Sequence, residues 1–397
     1  MNQNKLVDYY FITVLTLFAY SGVIKWIFIF VDPTILFAIL SLPALFLWSR
    51  FRFYYKNNPL VSTIPIFFLF NFIVILSATY TISDKYYIFK SLVIFSNTLA
   101  FILPLVILRT EWAFEYFIFI FKVLLFLCLL LLIYEYIDNQ FTRIRFREEL
   151  GQNEIGLPNY LTFSYFLGSC IILLINSKDN FVNVMLIIAL LFMILLAAKG
   201  PLLFLILLMG IKYRKKLRIT NFKFWFSLGL IISSIYLFVT LTKIRLFDTL
   251  IDRLSFFSGG LDADESSLAR VILLKKGIEL IRDNIFFGVG IGGYAKGIGD
   301  PDGRLSPHNV FIEVWAETGV IPLTLLLILC ILLFIKYSYL LKKYQFRLGE
   351  NIIYLCLFIF FSNMVSSYLE DMRITYFWLG TSIAYYTIKI KTFSNLI

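Results

Sequence analysis

The chain has 397 residues, 60% of them hydrophobic, 19% aromatic and 15% charged, with a mean hydropathy of +0.84. This composition excludes an ordinary soluble globular protein and indicates a polytopic membrane protein. The formal net charge of +11 does not indicate a nucleic-acid partner, because the basic residues are divided among many short inter-helix loops, as orientation signals are.

The stretch Met1-Asn2-Gln3-Asn4-Lys5 leads into a hydrophobic run with no small-residue cleavage site, so the first segment reads as an uncleaved anchor. A membrane-crossing helix needs about 20 predominantly apolar residues. On that length the sequence predicts an all-α polytopic integral membrane protein with about twelve transmembrane helices, at 9–30, 34–50, 60–79, 91–108, 113–137, 161–176, 181–198, 201–213, 224–242, 320–337, 352–369 and 374–390. Asp32-Pro33, Asn57-Asn58-Pro59, Ser177-Lys178-Asp179-Asn180 and Lys199-Gly200-Pro201 supply breaks between them. No separate soluble domain stands out, so residues 1–397 read as a single membrane domain. Cys128, Cys170, Cys330 and Cys356 fall in apolar runs without metal-ligand spacing and read as small buried hydrophobes.

Lysine and arginine in short loops favour the cytoplasmic side. Arg50, Arg52 and Lys56, the group from Lys212 to Lys223, the group from Lys336 to Arg347, and Lys389 with Lys391 all fall on one side if both termini are cytoplasmic. The other side then receives the loop 138–160, the Lys199 turn, the connection Glu370-Asp371-Met372-Arg373, and the long segment 243–319 between the ninth and tenth spans. That segment is predicted to be an extracytoplasmic loop with short helices that carries the active-site motifs; long loops cross largely regardless of charge.

Within it, residues 267–282 read as an amphipathic helix at the membrane surface, capped by Ser266 or Ser267 and stopped by Asp283-Asn284. Gly288-Val289-Gly290-Ile291-Gly292-Gly293 matches G-x-G-x-x-G formally. It follows a helix and lacks a strand–helix–strand setting, so it reads as a close-packed, flexible turn and not as a dinucleotide site. Asp262-Ala263-Asp264 matches the short D-x-D pattern of metal-dependent sugar transferases, but the adjacent Glu265-Ser266-Ser267 favours a solvated helix entrance, and no metal is expected. Next comes the only histidine. Ser306 is suited to an N-cap and Pro307 to the first helical position, which places His308 in the first turn, where the dipole disfavours imidazolium. A neutral His308 can accept a proton; the alternative is a histidine packed at a membrane interface.

Ionisable groups at membrane depth call for a reason. Lys25 and Lys122 fit snorkelling or an internal ion pair as well as chemistry. Lys199 stands at an extracytoplasmic helix break, where it can meet a lipid-linked anion at headgroup level or anchor the interface. Arg270 opens the surface helix, and Arg143, Arg145 and Arg147 sit in the loop after the fifth span, so several cations can converge on one diphosphate. Arg147 joins Arg270 and Lys199 in the candidate diphosphate set, with the choice among the three loop arginines open.

These motifs give the chain a resemblance. It resembles the O-antigen ligase and O-antigen polymerase superfamily of bacterial polysaccharide assembly, architecturally over most of its length and by motif in three places. Leu195-Leu196-Ala197-Ala198-Lys199-Gly200 is similar to the family's span-end Ser-Arg-Gly-type signature, with lysine where arginine is usual. Ser267-Leu268-Ala269-Arg270, followed by Asn284-Ile285-Phe286-Phe287-Gly288-Val289-Gly290, is similar to its loop arginine and glycine segment. His308-Asn309 through Glu317-Thr318-Gly319 is similar to its histidine motif, and Pro158-Asn159-Tyr160 also fits.

The resemblance implies a large membrane glycosyltransferase (GT-C-like) architecture in the bacterial cytoplasmic membrane, acting on undecaprenyl-diphosphate-linked oligosaccharide at its outer face. His308 then takes the proton from an acceptor hydroxyl, Arg270 and Lys199 hold the diphosphate leaving group, and neither metal nor other cofactor is needed. A polysaccharide polymerase extending a lipid-linked repeat is the favoured reading. An O-antigen ligase, transferring the glycan to a lipid A-core acceptor, shares the same motifs, and a lipid-linked oligosaccharide flippase is the alternative of another class. The expected partners are the lipid-linked glycan, an acceptor glycan or lipid core, the bilayer and a chain-length regulator.

Overall fold

The breaks seen in the sequence act as helix caps. Asp32 accepts from the Thr34 amide at 2.7 Å, Asn58 from Leu60 at 3.0 Å and Asp179 from Phe181 at 3.0 Å, with Pro33 and Pro59 at the first helical positions. The computed structural model describes residues 3–25, 32–46, 58–139, 160–196, 198–214, 265–366 and 368–394, and among them every regular element is helical. The helices are α1 (Gln3–Ala19), α2 (Pro33–Ser41), α3 (Pro43–Phe46), α4 (Ile64–Leu76), α5 (Tyr86–Ile107), α6 (Glu111–Asn139), α7 (Tyr160–Leu174), α8 (Asn180–Leu195), α9 (Lys199–Tyr213), α10 (Glu265–Asp283), α11 (Tyr294–Gly297), α12 (Val310–Thr318), α13 (Val320–Lys343), α14 (Arg347–Ser366) and α15 (Arg373–Ser394).

Among the described residues, four helical stretches are long and apolar enough to cross a membrane: Pro59–Thr79, Tyr86–Ile107, Glu111–Asp138 and Val320–Lys343. The first is α4 extended at both ends by 3-10 turns. The expected spans at 34–50, 161–176 and 181–198 correspond to shorter apolar helices. The span at 224–242 lies outside the described residues, as does the beginning of the long loop. Helix α5 starts at Tyr86, earlier than the run at 91–108 suggests, and so takes Lys90 into its first turns.

Side-chain pairs fix which helix ends lie together. Lys212 of α9 bonds Asn351 of α14 and Phe204 stacks on Phe361 at 5.7 Å, so these helices are antiparallel and Lys199 lies level with the C-terminal end of α14. Asn97 bonds the Glu370 carbonyl at 2.9 Å, while a Cβ at Gly380 would come within 2.2 Å of the Phe101 carbonyl oxygen. Helices α5 and α15 therefore run parallel in close contact, with Gly380 permitting the approach. Lys389 of α15 pairs with Glu111 at 2.7 Å, and Asn351 bonds the Leu173 carbonyl at 3.0 Å. One end of the bundle thus gathers Glu111, Leu173, Lys212, Asn351 and Lys389; the other gathers Tyr86, Lys199 and Glu370, and the 265–319 segment sits there.

Candidate active site

A second apolar cluster, Leu280, Ile281, Val289, Tyr294 and Ala316, seats α10 on α12. Between them the glycine-rich segment is a tied turn. The Val289 amide bonds the Ala316 carbonyl at 3.0 Å and Gly290 that of Glu317 at 2.7 Å, while Ile82 donates to the Val289 carbonyl at 3.0 Å and Thr81 to that of Ile291 at 2.8 Å. Gly319 closes α12 at φ 85°, where a Cβ would fall 1.9 Å from the Phe286 carbonyl oxygen, so only glycine fits this junction. Asp302 pins the next stretch to the start of α5: its carboxylate accepts from Ser83 Oγ at 2.7 Å and from the amides of Asp84, Lys85 and Tyr86 at 2.9, 2.8 and 3.2 Å. Some desolvation opposes these bonds, and they still hold Asp302 below the usual carboxylate range.

His308 follows on this anchored loop. Helix α12 begins at Val310, not at Pro307, because Asn309 is the cap and accepts from both Phe311 at 3.1 Å and Ile312 at 3.2 Å. Ser306 instead accepts from the His308 amide at 3.2 Å in a local turn, and His308 takes a left-handed backbone with φ 52°. The expectation of a first-turn histidine governed by the helix dipole is therefore corrected. The imidazole is lowered to about 4 mainly by burial, with the charge of Arg270 adding to the shift and Asp371 opposing it. It is neutral at physiological pH. Nδ1 is buried with no hydrogen-bond partner among the described residues, and the ring lies 5.2 Å from that of Tyr368.

Beneath the loop lies a group that the sequence reading did not single out. Lys90 Nζ is 2.5 Å from Glu313 and 2.8 Å from Glu317, and all three side chains are at most 1% exposed. Glu313 Oε2 also accepts from the Leu369 amide at 2.9 Å. The cluster thus joins α5, α12 and the 3-10 turn Leu369–Met372. Burial pushes the Glu313 carboxyl up against the pull of Lys90. A signal existed: Glu313 and Glu317 are spaced i, i+4 on an otherwise apolar helix, and such a pair requires a buried cation.

The same 3-10 turn carries a second charged group. Arg304 reaches Glu370 at 3.4 Å and Asp371 at 3.0 Å, and its guanidinium lies 4.8 Å from the Tyr368 ring centre. Tyr86 donates to Glu370, whose carboxyl burial raises against the nearby Lys90 charge. His308 thus lies against the Tyr368–Asp371 turn. Of the expected diphosphate residues, Arg270 is near enough for its charge to lower the imidazole further, and Lys199, half-buried at the N-terminus of α9, lies at the same end of the bundle. Arg143, Arg145, Arg147, Asp262 and Asp264 lie outside the described residues. Lys25, weighed earlier among several roles, pairs with Asp32 at 3.2 Å.

A family model described as O-antigen ligase matches residues 163–328, a stretch that includes Lys199, Arg270 and His308. These residues are similar to the O-antigen ligase family. No curated protein matches the chain. The matched segment runs from α7 into α13, so it contains the histidine loop and α12. The partners that hold them, Lys90 and the Tyr368–Asp371 turn, lie outside it. The match supports an O-antigen ligase or polymerase type of activity, with lipid-linked glycan and acceptor as substrates in general terms.

Proposed function

We propose that the protein is a polysaccharide polymerase that transfers an undecaprenyl-diphosphate-linked glycan to a sugar hydroxyl of an acceptor lipid-linked repeat, at the outer face of the cytoplasmic membrane. The observation that carries this reading is a neutral His308 whose ring nitrogen Nδ1 is enclosed without a hydrogen-bond partner among the described residues, and whose basicity the charge of Arg270 lowers further. The acceptor hydroxyl oxygen attacks the anomeric carbon while its proton passes to His308. The bond from that carbon to the diphosphate oxygen breaks on the opposite face, giving inversion. The leaving diphosphate takes the electron pair, and Arg270 and Lys199 hold its negative charge. An anion bound at Arg270 also offsets the charge that depresses His308, so the base strengthens when the donor is in place.

The orientation in this proposal rests on charge. Lys212, Arg214, Lys342, Lys343, Arg347, Lys389 and Lys391 lie at the end of the bundle away from His308, which supports placing that end in the cytoplasm.

Purified His308→Ala and His308→Asn proteins are expected to fold, insert and lose about 10²–10⁴-fold in the rate of lipid-linked glycan transfer. Wild-type extension by both variants would remove the base from the reaction.

A further inference from the structure

Arg373, the first residue of α15, is a cation that the fold leaves unmatched. Its Nε is enclosed, and its guanidinium makes no hydrogen bond or ion pair with the described residues. Two carboxylates lie within electrostatic reach, Asp32 at the start of α2 and Asp371 in the turn before α15. Each is committed elsewhere. Asp32 takes Lys25 at 3.2 Å and the Thr34 amide at 2.7 Å; Asp371 takes Arg304 at 3.0 Å, and Arg304 also reaches Glu370 at 3.4 Å. The guanidinium lies 5.6 Å from the ring centre of Phe18, a fully buried residue. An aromatic face attracts a cation without receiving the in-plane N–H donors of the fork. The start of a helix is also the end at which a cation is least favoured. Enclosed polar groups are ordinarily satisfied, so these donors point to a ligand.

We propose that Arg373 receives the phosphate of a membrane-borne lipid, at the His308 end of the bundle, between the α1–α2 and α14–α15 connections. The identity of that lipid rests on the function proposed above, in which it is the polyprenyl diphosphate; the site itself rests on the residues around Arg373. Position favours phosphate, because Arg373 stands where the polar turn Leu369–Met372 meets the apolar Ile374, Phe377 and Trp378 of α15, the level of lipid headgroups. The planar fork matches two oxygens of a phosphate. Both ion pairs beside it reach the surface: the side chains of Lys25 and Asp32 are 34% and 40% exposed, those of Arg304 and Asp371 52% and 41%. An anion arriving there meets carboxylates that already have cations of their own, and one guanidinium that lacks a counter-ion. The charge of Asp371 acts on His308 as well as on Arg373, so the anion site and the imidazole lie around one carboxylate.

The test uses the full-length protein in neutral detergent and two radiolabelled probes, undecaprenyl diphosphate and phosphatidylglycerol. Arg373→Met is expected to weaken binding of at least one probe by about tenfold or more, and Arg373→Lys, which keeps the charge and loses the fork, by less. Loss of undecaprenyl diphosphate alone identifies the lipid-linked substrate as the source of the phosphate, loss of phosphatidylglycerol alone identifies the bilayer, and loss of both identifies a site that reads only the phosphate; each supports the proposal. Without either probe, Arg373→Met should melt at or above the wild-type temperature, because it removes an enclosed charge that has no partner. Wild-type binding of both probes by Arg373→Met overturns the proposal. So does a lower probe-free melting temperature in that variant, which would make Arg373 a water-bridged partner of Asp32 and Asp371 within the fold. His308→Asn, run alongside, keeps the two readings apart: transfer surviving in it removes the base, while its binding of undecaprenyl diphosphate should match the wild type in either case.

Discussion

His308 occupies a backbone conformation, φ 52°, that few residues other than glycine and asparagine adopt readily. Removing the imidazole as His308→Asn therefore isolates the chemistry better than His308→Ala, which also relaxes the turn. The lowered basicity of His308 has a definite pH signature. Its ordinary value of 6.5 falls to about 4 through burial first and Arg270 second. The unfolded chain thus binds a proton on His308 before the native protein does, and stability from this residue declines as pH falls from about 6.5 to about 4. For activity, the acid limb of kcat/KM reports the free enzyme and that of kcat the loaded one. Arg270→Gln removes a neighbouring cation and should move the kcat/KM limb upward, toward 6.5. A pH–rate series in which that limb stays fixed or moves down would show that Arg270 does not act on the imidazole.

At the scale of elements, the lysine between two acids holds helices together that the apolar core alone does not specify. Lys90→Met leaves Glu313 and Glu317 buried without their cation, a change that costs about 3–5 kcal/mol when a buried ion pair is broken. Replacing all three by apolar residues of similar volume should restore thermal stability in detergent, since such triads are often no more stabilising than hydrophobic packing. A Lys90→Met protein melting with the wild type would contradict this. Helix α9 makes the complementary case. Under the proposed mechanism, in which Lys199 supplies charge to the donor diphosphate, Lys199→Arg is expected to keep most transfer activity and Lys199→Met to lose it with little change in melting temperature. An active but destabilised Lys199→Met would assign the lysine to interfacial anchoring. Much of this level was legible in the sequence: Asp32-Pro33, Asn58-Pro59 and Asp179 were visible as breaks because caps and prolines act locally. The cation of the ion cluster was not, because the spacing of Glu313 and Glu317 signals a buried partner without naming it, and Lys90 meets them only through tertiary packing. The start of α12 was misplaced for a related reason, since Ser306 and Asn309 both cap well in isolation and the anchored loop decides between them.

For the whole molecule, the two ends of the bundle predict two labelling outcomes. In a background without Cys128, Cys170, Cys330 and Cys356, an impermeant thiol reagent should reach Glu279→Cys, exposed on α10, from outside the cell. It should reach Gln345→Cys, exposed between α13 and α14, only after the membrane is opened. The reverse pattern would invert the proposed orientation and move the candidate site to the cytoplasm. The proposed side assignment rests on the charges of short loops. The convergence of α5, α12 and the Leu369–Met372 turn on one site was not legible in the sequence, because it depends on contacts spanning most of the chain.

The buried lysine also has a history during synthesis. Lys90 and its partner Glu313 are separated by 223 positions in the chain. At about 5–20 residues per second, that separation corresponds to about 11–45 s of translation. Helix α5 must therefore leave the insertion machinery with a cation whose carboxylates have not yet been made. During that interval its first turns stay near water or within a protective channel, and they are drawn into the bundle only when α12 arrives. Completion of the site is thus a late event in biogenesis, and a ribosome stalled before Glu313 leaves a membrane intermediate with an uncompensated lysine for quality-control proteases to recognise.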